Sequence, residues 1–317
     1  MENLQPKSNN LFSLKNELIV LFETILHNKK LFIGVVLLFS LFGVIFSLLL
    51  PNIYLSKATL SPSAENNDLS QTIARNYSGL TSLAGISLPS VETNLSDEAV
   101  EIIRTLSFFS KLVDSNDSLI PNLIAAKKWD PMERKIKYDE NIYLSDKDLW
   151  IREVDFPKQK IPTYQEAFAI FKENFVVIKD KQTGFIRISF KHLSPDFSKQ
   201  ILDEIIFSIN QQIKDREKEK AKRTLEYLNA EMQKTNLAEI KEVLSGLAQA
   251  EIQTISLAEA TEDFVFKVLD EPHIPEEKSE PNRAFIVIIN TFLGFILSTI
   301  FVLFKEPVIK LVKDIKD

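Results

Sequence analysis

Hydrophobic residues in this chain are concentrated in two long blocks near its ends. Residues 31–50 and residues 284–304 contain no charged side chain. A helix rises about 1.5 Å per residue, so each block would be about 30 Å long, the thickness of the hydrocarbon core of a bilayer. The pattern predicts two transmembrane helices. The alternative for the first block is a cleaved signal peptide, whose apolar core is usually shorter and ends at small residues, whereas Pro51 follows here.

Lysine residues flank the outer ends of both blocks and indicate the orientation. They are Lys15, Lys29 and Lys30 before the first block, and Lys305, Lys310, Lys313 and Lys316 after the second. Because short basic flanks stay on the cytoplasmic side, we expect cytoplasmic tails at residues 1–30 and 305–317 and a translocated loop at 51–283. Residues 11–25 place apolar side chains on one helical face, which predicts a helix on the inner membrane surface or, as the alternative, a partner-binding helix.

The long loop is acidic. The whole chain carries a formal charge of −6 and each tail contributes one positive charge, so residues 51–283 carry −8. A nucleic-acid partner would call for a clustered basic surface, so we expect none. The absence of cysteine excludes disulfides and thiolate metal sites.

Local patterns in the loop predict a mixed α/β base. Strands are expected at 53–60, 175–178, 185–190 and 264–269, with helices opening at Ser96, spanning 122–129 and spanning 164–171, and a charged surface excursion at 133–160. The helix at Ser96 is expected to continue through Phe109. The loop 180–184 places Gly184 where a positive φ is needed. We assign residues 51–193 and 263–271 to this base, in which the strands share one sheet.

A long helical region follows the base. Ser194 as a cap and Pro195 at the first helical position open a helix, and no further proline occurs before Pro272. A single helix to residue 262 would be about 100 Å long, yet the chain has to return to the second apolar block. Residues 194–262 are therefore predicted to form an antiparallel helical hairpin, and its turn could lie anywhere from Asn229 to Gly246.

Residue patterns typical of catalysis are lacking. The three histidines, His27, His192 and His273, are scattered, and metal or acid–base sites need clustered groups. There is no phosphate-binding glycine loop, and acidic pairs arise by chance among 44 acidic residues. We therefore predict no catalytic, cofactor or metal site, and a protein that is not an enzyme.

A proline-spaced segment, residues 272–283, leads into the second apolar block. Pro272, Pro275 and Pro281 lie on a three-residue grid, on which Lys278 occupies the missing position. That spacing suits a stiff extended strut, with an ordinary proline-containing linker as the alternative.

Small and polar residues share one face in each apolar block. They are Ser40, Gly43 and Ser47 in the first block, and Asn290, Gly294 and Ser298 in the second. Small residues allow membrane helices to approach closely, and a membrane asparagine needs a hydrogen-bonding partner. Both faces are predicted to pack against another helix.

The chain resembles the Wzz-type polysaccharide chain-length determinants, the polysaccharide co-polymerases of Gram-negative inner membranes. The similarity covers the two-span plan and four short runs: Ser78-Gly-Leu-Thr-Ser-Leu-Ala-Gly85, Asp180-Lys-Gln-Thr-Gly184, Leu193-Ser-Pro195 and Phe264-Val-Phe-Lys-Val-Leu-Asp270. The family's proline-rich signature corresponds to Pro272, Pro275, Pro281 and Gly294. Lys278 stands where a fourth proline can occur, and Ser298 where a second glycine would be.

The resemblance implies a membrane-anchored α+β fold with a periplasmic base and a long helical hairpin. It also implies a ring-shaped homo-oligomer that acts with an inner-membrane polysaccharide polymerase, and admits lipid-linked polysaccharide as a ligand. The expected function is non-enzymatic control of the length of a surface polysaccharide, such as lipopolysaccharide O-antigen. The alternative is a two-span adaptor or sensor subunit of an export system. The polymer, its modal length, the subunit number and the mechanism of length control are left open.

Overall fold

The structure is a computed structural model that describes residue 23, residues 25–63 and residues 95–314. It divides into two compact units, one made of residues 1–52 and 279–317 and the other of residues 53–278. Predictions for residues 1–10, for most of the amphipathic segment 11–25 and for the small-residue run 78–85 lie outside the described residues.

The first unit contains two apolar helices, α1 (Lys29–Leu49) and α8 (Arg283–Asp314). The segments Lys29–Leu49 and Arg283–Lys305 have mean hydropathies of 2.7 and 2.5, so both are long and apolar enough to cross a membrane. This confirms the predicted pair of apolar helices. Helix α8 continues beyond the expected end of the span at residue 304, into the segment predicted to be a cytoplasmic tail.

The second unit is a mixed α/β domain. Its helices are α2 (Leu95–Ile103), α3 (Leu106–Ser115), α4 (Leu119–Ile124), α5 (Tyr164–Asn174), α6 (Pro195–Lys234) and α7 (Ala238–Ala260). Its strands are β1 (Tyr54–Pro62), β2 (Ala126–Asp130), β3 (Lys135–Tyr138), β4 (Tyr143–Leu144), β5 (Leu149–Trp150), β6 (Phe175–Lys179), β7 (Ile186–His192) and β8 (Phe266–Asp270).

Four of these strands form one antiparallel sheet in the order β6-β7-β1-β8. Buried side chains alternate with exposed or half-buried ones along β6 and β7, as expected when one face of a sheet is covered. The loop between β6 and β7 ends at Gly184 with a φ of 73°. The predicted shared sheet and the glycine turn are both confirmed.

The core lies between this sheet and the helices that cover one of its faces. Residues with at most 1% exposure come from both sides: Ala58, Leu60, Ile186, Ile188 and Phe190 from the sheet, and Ile201, Ile205, Ile209, Phe109 and Phe171 from the helices. Burying each large side chain contributes about 1.5–3 kcal/mol relative to leaving it exposed. This contact fixes the first half of α6 on the sheet.

The helical hairpin consists of α6 and α7. Ser194 caps α6, because its Oγ accepts a hydrogen bond from the Phe197 amide at 3.2 Å, and Pro195 opens the helix. The 40 residues of α6 make it about 60 Å long. Residues 235–237 reverse the chain into α7, within the predicted interval. The hairpin is therefore confirmed, and its turn is located.

Two helix predictions in the base were wrong. The helix predicted at 122–129 ends at Ile124, because Trp129 and its neighbours pair with β3 instead. The helix predicted from Ser96 through Phe109 is broken into α2 and α3. Thr105 is extended there, and its hydroxyl accepts from the Phe108 amide, so it caps a new helix. Ser96 itself lies inside α2 and is buried rather than capping the helix.

The charged excursion at 133–160 is structured rather than a simple loop. It contributes β3, β4 and β5, and its final part is held by Arg152, which is 7% exposed. The Arg152 guanidinium donates to both carboxylate oxygens of Glu166 at 2.6 Å, and to the carbonyls of Gln159 and Lys160. This hydrogen-bonded partner holds the pKa of the Glu166 carboxyl below its ordinary value.

Candidate functional site

The candidate site is the contact between α1 and α8. Gly43 on α1 is buried against Asn290 on α8, and a Cβ atom at Gly43 would lie only 2.8 Å from the Asn290 Cβ. Real Cβ atoms do not approach other carbon atoms so closely. Glycine is therefore needed at this point for the two helices to keep their separation.

A second close approach occurs at Gly294. A Cβ atom there would lie 2.6 Å from the Phe39 Cβ and 3.5 Å from the Val36 Cα. Gly34 on the same helix pair behaves differently, since a Cβ atom there would meet nothing within 4 Å. The glycine requirement is thus local to the contact between the helices.

Serine side chains line the same contact. Ser298 is fully buried, and its Oγ donates to the Phe32 carbonyl of α1 at 3.0 Å. Ser47 is also buried but donates to the Val44 carbonyl of its own helix, and Ser40 is half-buried. Asn290 donates to the Ile286 carbonyl of α8 at 2.9 Å.

The two predicted faces are therefore brought to each other within one chain. Gly43 meets Asn290 directly, Gly294 packs against a large aromatic residue, and Ser298 forms a hydrogen bond with the backbone of α1. Among the residues that the structure describes, neither Ser40 nor Ser47 forms a hydrogen bond to α8. The role of these residues in helix packing remains a prediction that experiment has to test.

Amide–cation contacts at both ends of the pair were missed by the sequence reasoning. The Lys305 Nζ donates to the Asn28 Oδ1 at 2.9 Å, and the Arg283 guanidinium donates to the Asn52 Oδ1 at 3.1 Å. Each contact joins a residue at one end of the apolar segment Arg283–Lys305 of α8 to one beside an end of α1. The alternation of apolar and charged residues reveals the span ends but not which asparagine lies opposite each cation.

The proline-rich segment is distributed over the two units. Pro272 is buried and Pro275 half-buried in the second unit, whereas the half-buried Pro281 belongs to the first unit. Residues 271–279 lie outside helices and strands. The beginning of the segment is fixed, because the buried Ser56 donates its hydroxyl to the His273 carbonyl at 2.8 Å.

A buried asparagine connects the hairpin to the strand that precedes this segment. Asn210 lies on α6 and is 4% exposed. Its Oδ1 accepts from the amides of Val265 and Phe266 at 2.8 and 2.9 Å, and its Nδ2 donates to the Phe266 carbonyl at 3.1 Å. Three bonds from one side chain satisfy backbone groups that would otherwise be buried without partners. The sequence pattern showed only a polar residue among isoleucines.

Acid–base and metal chemistry have little support among the described residues. No group of three or more potential metal ligands occurs there. His192 is buried, its Nδ1 accepts from the Ser194 amide at 3.0 Å, and its Nε2 lies 2.9 Å from the Asn122 carbonyl. Because Nδ1 accepts, the ring is neutral with its proton on Nε2, and burial lowers its pKa to about 4. Both ring nitrogens of His192 are therefore engaged by the backbone, which is typical of a structural histidine.

Comparison with known proteins gives one family match and several structural matches. The family model described as "Wzz: Chain length determinant protein" matches residues 16–116. A solved full-length bacterial polysaccharide co-polymerase aligns with a TM-score of 0.38 and 14% identity over 91% of this chain and 97% of that chain. A fragment of WzzB, a polysaccharide co-polymerase from Salmonella Typhimurium, aligns with a TM-score of 0.27 and 13% identity over 72% of this chain and 100% of that chain. Among curated proteins, none matches significantly. The family match confirms the predicted resemblance over the residues it covers.

Proposed function

We propose that this chain, which carries the Wzz chain length determinant domain over residues 16–116, regulates the length of a surface polysaccharide. The family match is the observation that carries this proposal. The arrangement of the chain agrees with it, since two apolar helices long enough to cross a membrane flank an α/β domain with a helical hairpin. Lipopolysaccharide O-antigen is one polymer of this class.

The proposed setting is the inner membrane of a Gram-negative bacterium. In this setting α1 and α8 cross the bilayer, both termini are cytoplasmic, and the α/β domain with its hairpin is periplasmic. The lysines at the outer ends of the apolar blocks support this orientation through the positive-inside tendency.

The proposed partners are further copies of the same chain and an integral-membrane polysaccharide polymerase. In this proposal a ring-like homo-oligomer presents the hairpins to the periplasm, and growing lipid-linked polysaccharide is included as a ligand. No chemical step is assigned to this chain, and no cofactor. Its contribution would be to hold or organise the polymerase and its product.

The proposed coupling route runs from the hairpin to the membrane helices. Asn210 ties α6 to β8, and Ser56 holds the backbone at His273, at the beginning of the proline-rich segment. Pro272, Pro275 and Pro281 would make that segment a stiff connection to α8. Through this connection, a change in the position of the hairpin would be transmitted to the close contact between α1 and α8 at Gly43 and Gly294.

Deleting the gene and separating the surface polysaccharide on a gel tests the proposal. We expect polymer to be exported but to lose its preferred length, with the wild-type pattern restored by the intact gene. Loss of all surface polymer would instead indicate an export adaptor and would overturn the proposal. An unchanged length distribution would overturn it as well.

A further inference from the structure

The loop that precedes α5 exposes an aromatic side chain at its tip. Phe156 is 96% exposed, and Ile161 further along the same loop is 67% exposed. The Lys158 amide donates to the Asp155 carbonyl at 3.0 Å, which forms a turn with Phe156 near its centre. Asp155 and Lys158 also carry opposite charges, so the tip is close to neutral. A neutral apolar loop tip of this kind is typical of a binding surface.

The loop is held firmly at both of its ends. Arg152 is buried, and its guanidinium donates to the carbonyls of Gln159 and Lys160 at 2.7 and 2.9 Å and to the Glu166 carboxylate of α5. Phe156 lies between these fixed positions in the chain. An aromatic side chain on a preorganised loop loses little conformational entropy on binding, as in the aromatic anchors of protein interfaces. The loop therefore has the properties of the protruding half of an interface.

A groove of about 490 Å³ lies between α2 and β6, which forms one edge of the four-stranded sheet. Apolar side chains of Val100, Val177 and Ile178 line it, together with the cationic side chains of Arg104 and Lys179. Pockets of this size accept drug-sized molecules, so the groove has room for an aromatic side chain. It provides the concave half of an interface.

The cations of the groove are already paired with carboxylates. Arg104 donates to Glu101 at 2.8 Å, and Lys179 forms an ion pair with Asp97. The groove therefore has no excess of positive charge that would call for an anionic polymer or an acidic peptide. A guanidinium that donates in its own plane still offers its faces to an aromatic ring. These properties favour a neutral aromatic occupant.

The loop and the groove lie at opposite ends of the helices α3 and α5. At one end, Tyr164 opens α5 directly after the loop and donates to Asp114 near the end of α3 at 2.7 Å. At the other end, Arg104 precedes α3 and donates to the Val177 carbonyl of β6 at 3.0 Å. The 10 residues of α3 separate these ends by about 15 Å. Two different surfaces at opposite ends of one layer suit a head-to-tail contact between copies, which closes into a ring when the rotation permits.

We propose that Phe156 of one copy inserts into the groove beside β6 of the next copy. Both surfaces are apolar and close to neutral, and each copy carries one of each. Phe156 does not occupy the groove of its own chain, since its side chain is almost entirely exposed. This inference rests on the homo-oligomer in the proposed function and names the surfaces that hold it together.

Disulfide crosslinking can test the contact on the full-length chain in its membrane, since the native sequence contains no cysteine. Asp155→Cys places a thiol beside Phe156, and Ile178→Cys places one at an exposed position in the groove. A chain with both substitutions should give an oxidant-dependent ladder of dimers, trimers and larger species on a non-reducing gel. A product that stops at the dimer would overturn the head-to-tail arrangement. Asp155→Cys with Glu242→Cys, on the exposed surface of α7, is the control and should give no ladder.

The aromatic side chain provides the second arm. In the Asp155→Cys, Ile178→Cys chain, Phe156→Ala should weaken association about 30-fold or more and remove the ladder, whereas Phe156→Trp should retain it. Met132→Ala is the matched control, because Met132 is 93% exposed at another turn. Neither alanine variant removes a core contact, so both should fold normally. Equal ladders in the two alanine variants would overturn the inference.

The mass of the detergent-solubilised protein and the polysaccharide gel separate this inference from the proposed function. An oligomeric mass and normal polymer length, with no ladder from residues 155 and 178, would reject this contact and leave the regulator intact. A ladder together with loss of all surface polymer on gene deletion would retain the contact and overturn the regulator. A monomeric mass would reject both the contact and the homo-oligomer.

Discussion

Two antiparallel helix pairs in this chain are held together by different kinds of side chain. In the α6/α7 hairpin, the contact is a cluster of leucines with methionine, isoleucine and alanine: Leu225, Leu228, Met232, Ile240, Leu244, Leu247 and Ala248. In the α1/α8 pair, the contact uses glycine and serine, with amide–cation bonds at both ends. Large apolar side chains of that second pair point outward instead, such as Leu37 and Phe292.

This difference follows from the surroundings proposed for each pair. In water, burying leucine removes apolar surface from solvent and stabilises the hairpin. In a bilayer, leucine gains nothing by exchanging lipid for protein, so association depends on close backbone approach and hydrogen bonds. Two antiparallel helices can therefore be held together either by large apolar side chains or by small residues and hydrogen bonds, depending on their surroundings.

The largest expected effect is at the leucine cluster. Leu244 is 5% exposed, and Leu244→Ala should destabilise the hairpin by about 2–4 kcal/mol because a buried cavity is left. Hydrogen exchange in α7 should then accelerate about 30-fold or more. Ile252→Ala is the control, since Ile252 is 50% exposed on the same helix and its loss should have little effect. Equal acceleration in both variants would contradict packing by the cluster.

Acidic pH should lower the stability of the contacts at the N-terminal end of α6. The neutral His192 ring accepts the Ser194 amide, and its pKa is lowered to about 4 by burial. A lowered histidine pKa means that the unfolded state binds the extra proton, so this stability is complete above pH 6.5 and is lost as the pH falls towards 4. The loss amounts to about 3 kcal/mol. It is measured by urea unfolding of the full chain, followed through Trp129 and Trp150 fluorescence.

The control for this pH effect is His192→Asn. An asparagine Oδ1 can replace Nδ1 as the acceptor for Ser194 but does not titrate. The difference in stability between wild type and variant should therefore change between pH 7.5 and pH 4.5. A constant difference over this interval would show that His192 does not titrate with unfolding. The contact between α1 and α8 offers the contrast, because residues 29–49 and 283–305 contain no acidic residue or histidine.

The helix contact in the first unit should respond to added volume rather than lost volume. Gly294→Leu would place side-chain atoms where Phe39 already lies, at a cost of about 1–3 kcal/mol to the helix pair. We expect disturbed polysaccharide length with nearly normal protein abundance, measured by gel and immunoblot. Gly34→Leu is the matched control, because a Cβ atom there meets nothing within 4 Å. Unchanged polymer length in Gly294→Leu would remove this contact from the mechanism.

Much of the fold was predictable because its signals are local or periodic. The charge-free blocks around α1 and α8, the cap at Ser194 and the glycine at the β6–β7 turn depend on a few neighbouring residues. The predicted helix at 122–129 failed because its second half pairs with a distant strand, and pairing energy is invisible in local propensity. The break at Thr105 was also missed. The apolar residues before and after it fit one continuous helical face, and that pattern hides a residue that caps a new helix.

The sequence by itself determined that two apolar helices precede and follow, along the chain, an α/β domain with a hairpin, since periodicity and charge set these elements. It also marked the residues Gly43, Asn290, Gly294 and Ser298 as members of helix faces. Only the tertiary structure decided that these faces meet each other, that Asn210 bonds the backbone of β8, and that the loop before α5 and the groove beside β6 lie at opposite ends of α3 and α5. Such contacts join residues far apart in the chain, and their energies depend on distances that no local pattern specifies.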